Sequence, residues 1–390
     1  MGGMLMLLLM LTACSSGSGE EPSKPKEKPV LKVYLFAPES PIVTRAENGY
    51  VDPSADEKRI NTLDVWVFEH NDEHTLVSYI HLANLTFDGQ KEISMEISDD
   101  FADRAQGTKV DIYVVANVTA SNCGLTLTRR STYDELKAAL IEHKTIGGDF
   151  FGLTSPVKSV PVEGLPMSGF LENQEITGTA PVFSAKTKNV QLVRAVSKMR
   201  FVFSKSTAAP DISNISISLD DGLLPTKEYL FLNGEYPAEK IHLEDTPSYE
   251  NSEMESVFQI VSGVSSDDIN SCADPASYIY STETGQEYEN KINAGLTEQT
   301  VGEVTKPAEL SEVGRFYLRE SDKQLKGTIN YTINGEEKSA RFEMDAAYDF
   351  TRNHTWIIYG YFLGSGDLML NVALPKDWEE KTENDKVYNW

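Results

Sequence analysis

Val30-Leu31-Lys32-Val33-Tyr34-Leu35-Phe36-Ala37 is rich in β-branched and aromatic residues and apolar at nearly every position. Such a run reads as a strand that is apolar on both faces, and it demands burial inside a sandwich. What surrounds it is of a different kind. Before it, Ser15 to Pro29 holds Ser, Gly, Glu, Lys and Pro, the composition of a tether. After it come Pro38 to Arg45, then Ala46-Glu47-Asn48-Gly49 and a polar stretch to Arg59.

Further strands follow at short spacing. Ile60 to Phe68 places Leu63, Val65 and Val67 on one face and Asp64, Trp66 and Phe68 on the other. His70-Asn71-Asp72-Glu73-His74 is a polar turn, and Leu76 to Leu82 returns as a hairpin partner. Glu92 to Ile97 alternates, and Lys109 to Asn117 is a core strand. Thr132-x-x-Glu135 is a capping box that opens a helix with Leu136, Ala139 and Leu140 on one face. Asn189 to Ser204 has the pattern of one long strand, and Ser, Thr, Ala and Pro accumulate over Ser204 to Pro210, where a domain boundary is expected. Ile212 to Leu219, Arg315 to Leu318, Gly327 to Ile333, Arg341 to Met344, Thr355 to Leu363 and Leu368 to Leu374 supply a second β domain, with a loop-like region from Asn233 to Asn251. The fold class is all-β: two β-sandwiches in tandem with a few short helices.

The chain has 390 residues, and roughly 100–200 residues per domain gives about two domains. Acidic residues outnumber basic ones 60 to 35, for a net charge of −25. Phosphate backbones repel such a chain, which excludes a nucleic-acid role. The apolar run Met4 to Leu11 is too short to span a bilayer and reads as the core of an export signal. Leu11-Thr12-Ala13-Cys14 ends it as a bacterial lipobox, with Cys14 as the lipid-bearing residue. No Lys or Arg precedes that run, which raises the question of an upstream start. Acyl chains at Cys14 would anchor the precursor.

Chemistry is sparse. The sequence has no P-loop and no Gly-x-Gly-x-x-Gly, and its nearest approach to a nucleophile elbow, Gly17-Ser18-Gly19, lies in the tether. His70 and His74 flank Asp72 and Glu73, but in a hairpin turn, so no metal is expected there. Asp99-Asp100 and Asp220-Asp221 lack the ligand spacing of a calcium loop. Cys123 and Cys272 fall in different domains; oxidation to a disulfide is open to an exported protein, as is a free state. No catalytic residue, cofactor or metal is expected.

The order of elements is informative. Arg45 lies in Ile42-Val43-Thr44-Arg45-Ala46-Glu47-Asn48-Gly49, a loop of the kind that proteases reach. A cut after Arg45 releases the body from its lipid and also severs the strand at Val30 to Ala37. Loss of Val30, Val33, Leu35 and Phe36 would leave an apolar groove with an open edge, which recruits a strand from elsewhere. A donor is expected at the other terminus, where Leu368, Leu370, Val372 and Leu374 alternate, followed by Trp378 and a tail that ends at Trp390. Burying four aliphatic side chains gains roughly 6–12 kcal/mol before ordering costs. Head-to-tail exchange of this kind builds a filament. Glu379 to Lys386 is wholly polar, unlike a donor strand, so donation would use only part of the tail.

Taken together the chain resembles the fimbrillins, the subunit family of type V pili in Bacteroidales. The resemblance is carried by the lipobox at Cys14, Thr44-Arg45, Leu63-Asp64-Val65-Trp66-Val67-Phe68 and Tyr113-Val114-Val115-Ala116-Asn117. Leu165-Pro166-Met167-Ser168-Gly169, Val193-Arg194-Ala195-Val196-Ser197-Lys198, Arg352-Asn353 and Leu370-Asn371-Val372 to Trp378, with Trp390, complete it. It implies two transthyretin-like sandwiches, a signal over 1–14, a tether and removed strand over 15–45, and domains over 46–206 and 207–390. It implies outer-membrane lipoprotein export, cleavage at Arg45-Ala46 by an arginine-specific protease, and strand exchange with copies of itself and related subunits. A stalk subunit in a cell-surface fimbria that supports adhesion and biofilm formation is the first expectation. A tip or accessory adhesin, a glycan-binding surface lipoprotein and a secreted β-sandwich hydrolase are the alternatives.

Overall fold

The computed structural model describes residues 27–36, 57–85, 90–142, 145–146, 149–150, 160, 163–185, 189–231, 258–281, 286–301, 304–321, 323–343 and 352–377. The N-terminal body is built from β1 (Val30–Phe36), β2 (Ile60–Glu69), β3 (Leu76–Leu85), β4 (Gln90–Glu96) and β5 (Lys109–Ala116). It continues through β6 (Met167–Glu175), β7 (Thr177–Thr179), β8 (Val182–Ser184), β9 (Val190–Gln191) and β10 (Val193–Arg194). One sheet runs β7-β8-β1-β9, with β4 also on β1; the other runs β10-β6-β5-β2-β3. Between them Leu31, Val33 and Leu35 of β1 meet Val65 and Val67 of β2, Ile93 and Met95 of β4, and Ile112 and Val114 of β5.

β2 and β5 read as apolar on both faces because each face has its own cover. Trp66, Phe68, Tyr113 and Val115 point away from the sandwich core and are buried under Cys123, Leu136, Ile141, Leu230 and Phe231. The capping box forms as expected: Thr132 Oγ1 accepts from the Glu135 amide at 3.2 Å, and Glu135 Oε2 accepts from the Thr132 amide at 2.8 Å. The helix is shorter than its sequence pattern, Tyr133–Lys137, because Leu140 and Ile141 leave it to pair with Tyr229 and Glu228.

The C-terminal body contains β11 (Ser197–Lys205), β12 (Ile212–Leu219), β13 (Phe258–Val264), β14 (Ser311–Leu318), β15 (Lys326–Ile333), β16 (Glu336–Glu343), β17 (His354–Phe362) and β18 (Leu368–Asp377). Its sheets run β14-β11-β17-β18 and β13-β12-β15-β16. Phe201, Phe203, Ile215, Ile217, Ile329, Trp356 and Ile358 fill the space between them. On the outer side of the first sheet, Val202, Ile357, Tyr359 and Tyr361 pack against Tyr278, Tyr288 and Ile292, carried by the helices Ala276–Ile279 and Gln286–Gly295.

One expectation is corrected. The apparent long strand from Asn189 to Ser204 is three strands in three sheets, and the passage between bodies falls at Ala195-Val196 rather than at Ser204 to Pro210. The Ala195 amide still bonds to Pro166 O at 2.8 Å in the N-terminal body, whereas Val196 O accepts from the Asn353 amide at 2.8 Å in the C-terminal body. β11 then pairs along its whole length with β14 and β17. Unbroken apolar character hid the crossover, since strands on either side of it are buried on both faces.

Two buried polar clusters join the bodies. Glu57, just before β2, accepts from Tyr317 Oη at 2.7 Å and Lys198 Nζ at 3.3 Å, and its carbonyl accepts from Arg194 Nε at 3.1 Å. The segment Glu228–Phe231 leaves the C-terminal body and crosses onto the N-terminal one. There the Leu230 amide donates to Ala139 O at 2.8 Å, and Ser168 Oγ donates to Leu230 O at 2.6 Å. Arg352 clamps it from behind: Nη1 and Nη2 donate to Leu230 O at 3.1 Å and Tyr229 O at 2.7 Å, while Nε donates to Glu320 Oε1 at 2.5 Å. Arg352, Glu320 and Glu228 are all 0% exposed, so each charge depends on these partners.

Candidate assembly site

β1 occupies the interior of its sheet. On one flank its seven residues pair antiparallel with β4, Val30 opposite Glu96 through Phe36 opposite Gln90. On the other flank it runs parallel to β8 over Val30 to Lys32 and to β9 over Leu35 and Phe36. Main-chain bonds continue past its first residue, with Val30 N donating to Pro181 O at 2.8 Å and Ile97 N to Pro29 O at 3.0 Å. Leu31, Val33 and Leu35 are 0% exposed, and Val30 is half-buried. Gly169 of β6 lets β9 close over this region, since a Cβ there would sit 2.0 Å from Gln191 O.

The outward side of the β1–β4 pair is charged. Lys32 Nζ meets Glu92 Oε1 at 2.8 Å, and Lys28 Nζ meets Glu96 Oε2 at 2.7 Å. The hydrogen bond to Glu92 holds the Lys32 ammonium above its ordinary value. Sequence reasoning overlooked these four residues. The signal was present, as lysines four apart just before and within one strand and two glutamates four apart in another.

β1 is joined to the body through residues 37–56, which lie outside the described residues, as do Arg45, Ala46, Cys14, Trp378 and Trp390. The body resumes at Glu57, which is buried and bonded from both bodies.

In the intact chain the expected donor residues Leu368, Leu370 and Val372 pack on the C-terminal core, and β18 pairs antiparallel with β17 from Leu368–Phe362 to Asp377–His354. Leu374 lies within the same strand. The opposite face of β18 is also engaged: Asn371 Nδ2 donates to Tyr278 O at 3.2 Å and Tyr288 Oη at 3.1 Å. Alternation marks a strand with an apolar face, and it does not say whose core that face will cover.

Other candidates resolve structurally. Cys123 and Cys272 are free and buried in separate clusters. His70 Nδ1 and His74 Nδ1 both approach the buried Asp111 carboxylate, at 2.7 and 3.2 Å, and His74 stacks on Tyr133 with ring centroids 3.6 Å apart. The two histidines and Asp111 are paired with one another, and among the described residues no group of three or more His, Cys, Asp or Glu is placed to hold a metal ion. Asp220 is held by Arg341 Nη1 at 2.9 Å. A cleft of about 440 Å³ beside the helix Gln286–Gly295 has one carboxylate among its lining residues, Glu312, and Arg200 Nε engages it at 2.6 Å. Burial alone would raise the Glu312 carboxyl, but Arg200 and Arg315 overcome it and hold the group below its ordinary value, which removes it as a proton donor.

The chain is similar in fold to a candidate cell adhesion protein of Parabacteroides distasonis: identity is 16%, 92% of this chain and 100% of that one are covered, and the TM-score is 0.50. Weaker likenesses include the tip fimbrial protein Mfa3 of Porphyromonas gingivalis, at 12% identity over 90% and 100% of the two chains with a TM-score of 0.47. A fimbrilin (FimA) of the same organism follows, at 11% identity over 92% and 99% with a TM-score of 0.45. No curated protein matches the chain. In sequence, residues 31–194 match the family of the major fimbrial subunit protein (FimA), a span that opens inside β1 and closes on the last residue of β10. The N-terminal body, β1 included, therefore carries the sequence pattern of the FimA major fimbrial subunit family, and the fimbrillin resemblance of the sequence holds.

Proposed function

We propose that the chain is a structural, non-catalytic subunit of a cell-surface fimbria. It is exported as an outer-membrane lipoprotein through Cys14, cut after Arg45 by an arginine-specific protease, and joined to a neighbour by strand exchange at the groove of β1. The observation that carries this reading is the attachment of β1. A central strand with three side chains at 0% exposure is covalently joined to the rest of the body only through residues 37–56, the stretch that holds Arg45. A cut there leaves β1 held by non-covalent contacts alone, while Glu57 keeps the new N-terminal region fastened to both bodies. The match of residues 31–194 to a fimbrial subunit family supports the same reading.

A stalk position requires that the tail of one copy fit the groove of the next identical copy; a tip or accessory position does not. Among the described residues the two tryptophans, Trp66 and Trp356, are 0% exposed and so closed to stacking on a sugar, and they lend the glycan-binding alternative no support. The test is cleavage of the chain with an arginine-specific protease, followed by N-terminal sequencing, light scattering and microscopy. A new N-terminus at Ala46 and loss of β1 upon assembly are expected. Resistance at Arg45 under conditions that leave the body folded would overturn the release step.

A further inference from the structure

The groove of β1 is charged as well as apolar. Its floor accepts Leu31, Val33 and Leu35, and its rim places Glu92 and Glu96 against Lys32 and Lys28. Lys28 and Lys32 are four residues apart, as are Glu92 and Glu96, and the antiparallel pairing of β1 with β4 brings Lys32, and Lys28 just before the strand, to the same face as the two glutamates. Among the described residues of the opposite flank, Val182, Ser184 and Gln191 alternate with the inward Phe183 and Val190 and carry no charge. When β1 leaves, Glu92 and Glu96 lose these lysines on a chain whose net charge is already −25.

We propose that this groove selects by charge, taking a strand that is apolar inward and basic outward from a different subunit rather than from a second copy of this chain. The inference rests on the strand-exchange reading above. The chain's own C-terminal segment fits the rim poorly. β18 has both faces engaged in its own body, and the residues that alternate with its leucines, Met369, Asn371 and Ala373, are uncharged. Beyond it, Glu379, Glu380, Glu383 and Asp385 outnumber Lys381 and Lys386. Carboxylates laid beside Glu92 and Glu96 repel, and like charges opposite one another on paired strands are unfavourable. Charge on an exposed rim acts chiefly on encounter rate and partner choice, and salt screens it.

The test is peptide exchange into the full chain after cleavage at Arg45. The probes are a fluorescent peptide of residues 27–37, the same peptide with Lys28→Glu and Lys32→Glu, and a peptide of residues 376–390. The native peptide is expected to enter, the doubly substituted one about 10-fold more slowly at low salt, and the gap to shrink to about 2-fold at 0.5 M salt. The tail peptide is expected not to compete. In a chain carrying Glu92→Lys and Glu96→Lys the preference should invert. Equal entry of the two β1 peptides at low salt, an unchanged preference in the rim variant, or efficient competition by the tail peptide would overturn the selection. Complete cleavage with no entry of any peptide would overturn strand exchange itself, and the selection with it.

Discussion

Glu57 and Tyr317 stand 260 positions apart in sequence and share a 2.7 Å hydrogen bond in the seam between the two bodies. Burial, and then the Glu57 carboxylate, push the Tyr317 hydroxyl well above its ordinary value, so it remains a donor throughout the working pH range. Glu57→Ala removes the acceptor and leaves Lys198 with its longer 3.7 Å contact to Glu289. A loss of about 2–4 kcal/mol is expected from urea denaturation, and Glu57→Gln, which still accepts from Tyr317, should lose less.

Arg352 is the second tie. Arg352→Ala strands the buried Glu320 and releases Tyr229 and Leu230, at an expected cost of about 3–5 kcal/mol. Scanning calorimetry should show one unfolding transition for the native chain and two for the variant, since the strap from Glu228 to Phe231 no longer couples the bodies. Arg352→Lys should recover little, because an ammonium cannot span Glu320 and two carbonyls at once.

Acid sensitivity follows from Glu312, Glu172 and Asp220. Each lies below its ordinary value in the folded chain, Glu312 and Glu172 against an opposing burial effect and Asp220 chiefly through Arg341. A depressed carboxyl contributes stability that is present above its unfolded value and is lost as pH falls through its folded one. Urea midpoints should therefore hold steady down to about pH 5 and fall below it. Glu312→Gln should flatten that fall while lowering the plateau at neutral pH.

Burial pushes the Cys123 thiol far up, and it raises the Cys272 thiol as well. In protein that begins at Ser15, neither thiol should react with an aromatic disulfide reagent until the chain is unfolded, when both should. Midpoints with and without reductant should coincide. Rapid reaction of either thiol in the folded chain would contradict their burial.

Much of this architecture is legible in the sequence, for reasons that differ from strand to strand. β2 shows its inward set as Leu63, Val65 and Val67, and its second apolar face is equally plain in Trp66 and Phe68. The strand at Val30 shows its inward set as Leu31, Val33 and Leu35, but its apolar run suggests burial on both faces, whereas Val30, Lys32 and Tyr34 alternate with that set and are only half-buried. What is hidden depends on distant partners. The crossover at Ala195-Val196 is invisible because buried strands on either side of it share one apolar pattern. The strap at Glu228–Phe231 gives no local sign, since its meaning lies in Arg352, more than a hundred residues away. Asn117 illustrates a missed role. It takes a left-handed φ of 58° at the end of β5, accepts from the Asn61 amide at 2.8 Å, and donates to Arg59 O and Leu165 O at 2.7 and 2.9 Å. Asn117→Asp keeps the acceptor but loses both donated bonds, so a cost of about 2–3 kcal/mol is expected in the same denaturation assay.

The unequal flanks of β1 have a mechanical meaning. A pull along the strand axis does not peel its bonds one by one. It loads the seven pairings to β4 side by side with those to β8 and β9, so they resist in shear and give way together. A pull across the axis opens the same ladder from one end, like a zipper. Any strand seated in this groove would therefore hold firmly under tension directed along the sheet and part readily under a sideways tug.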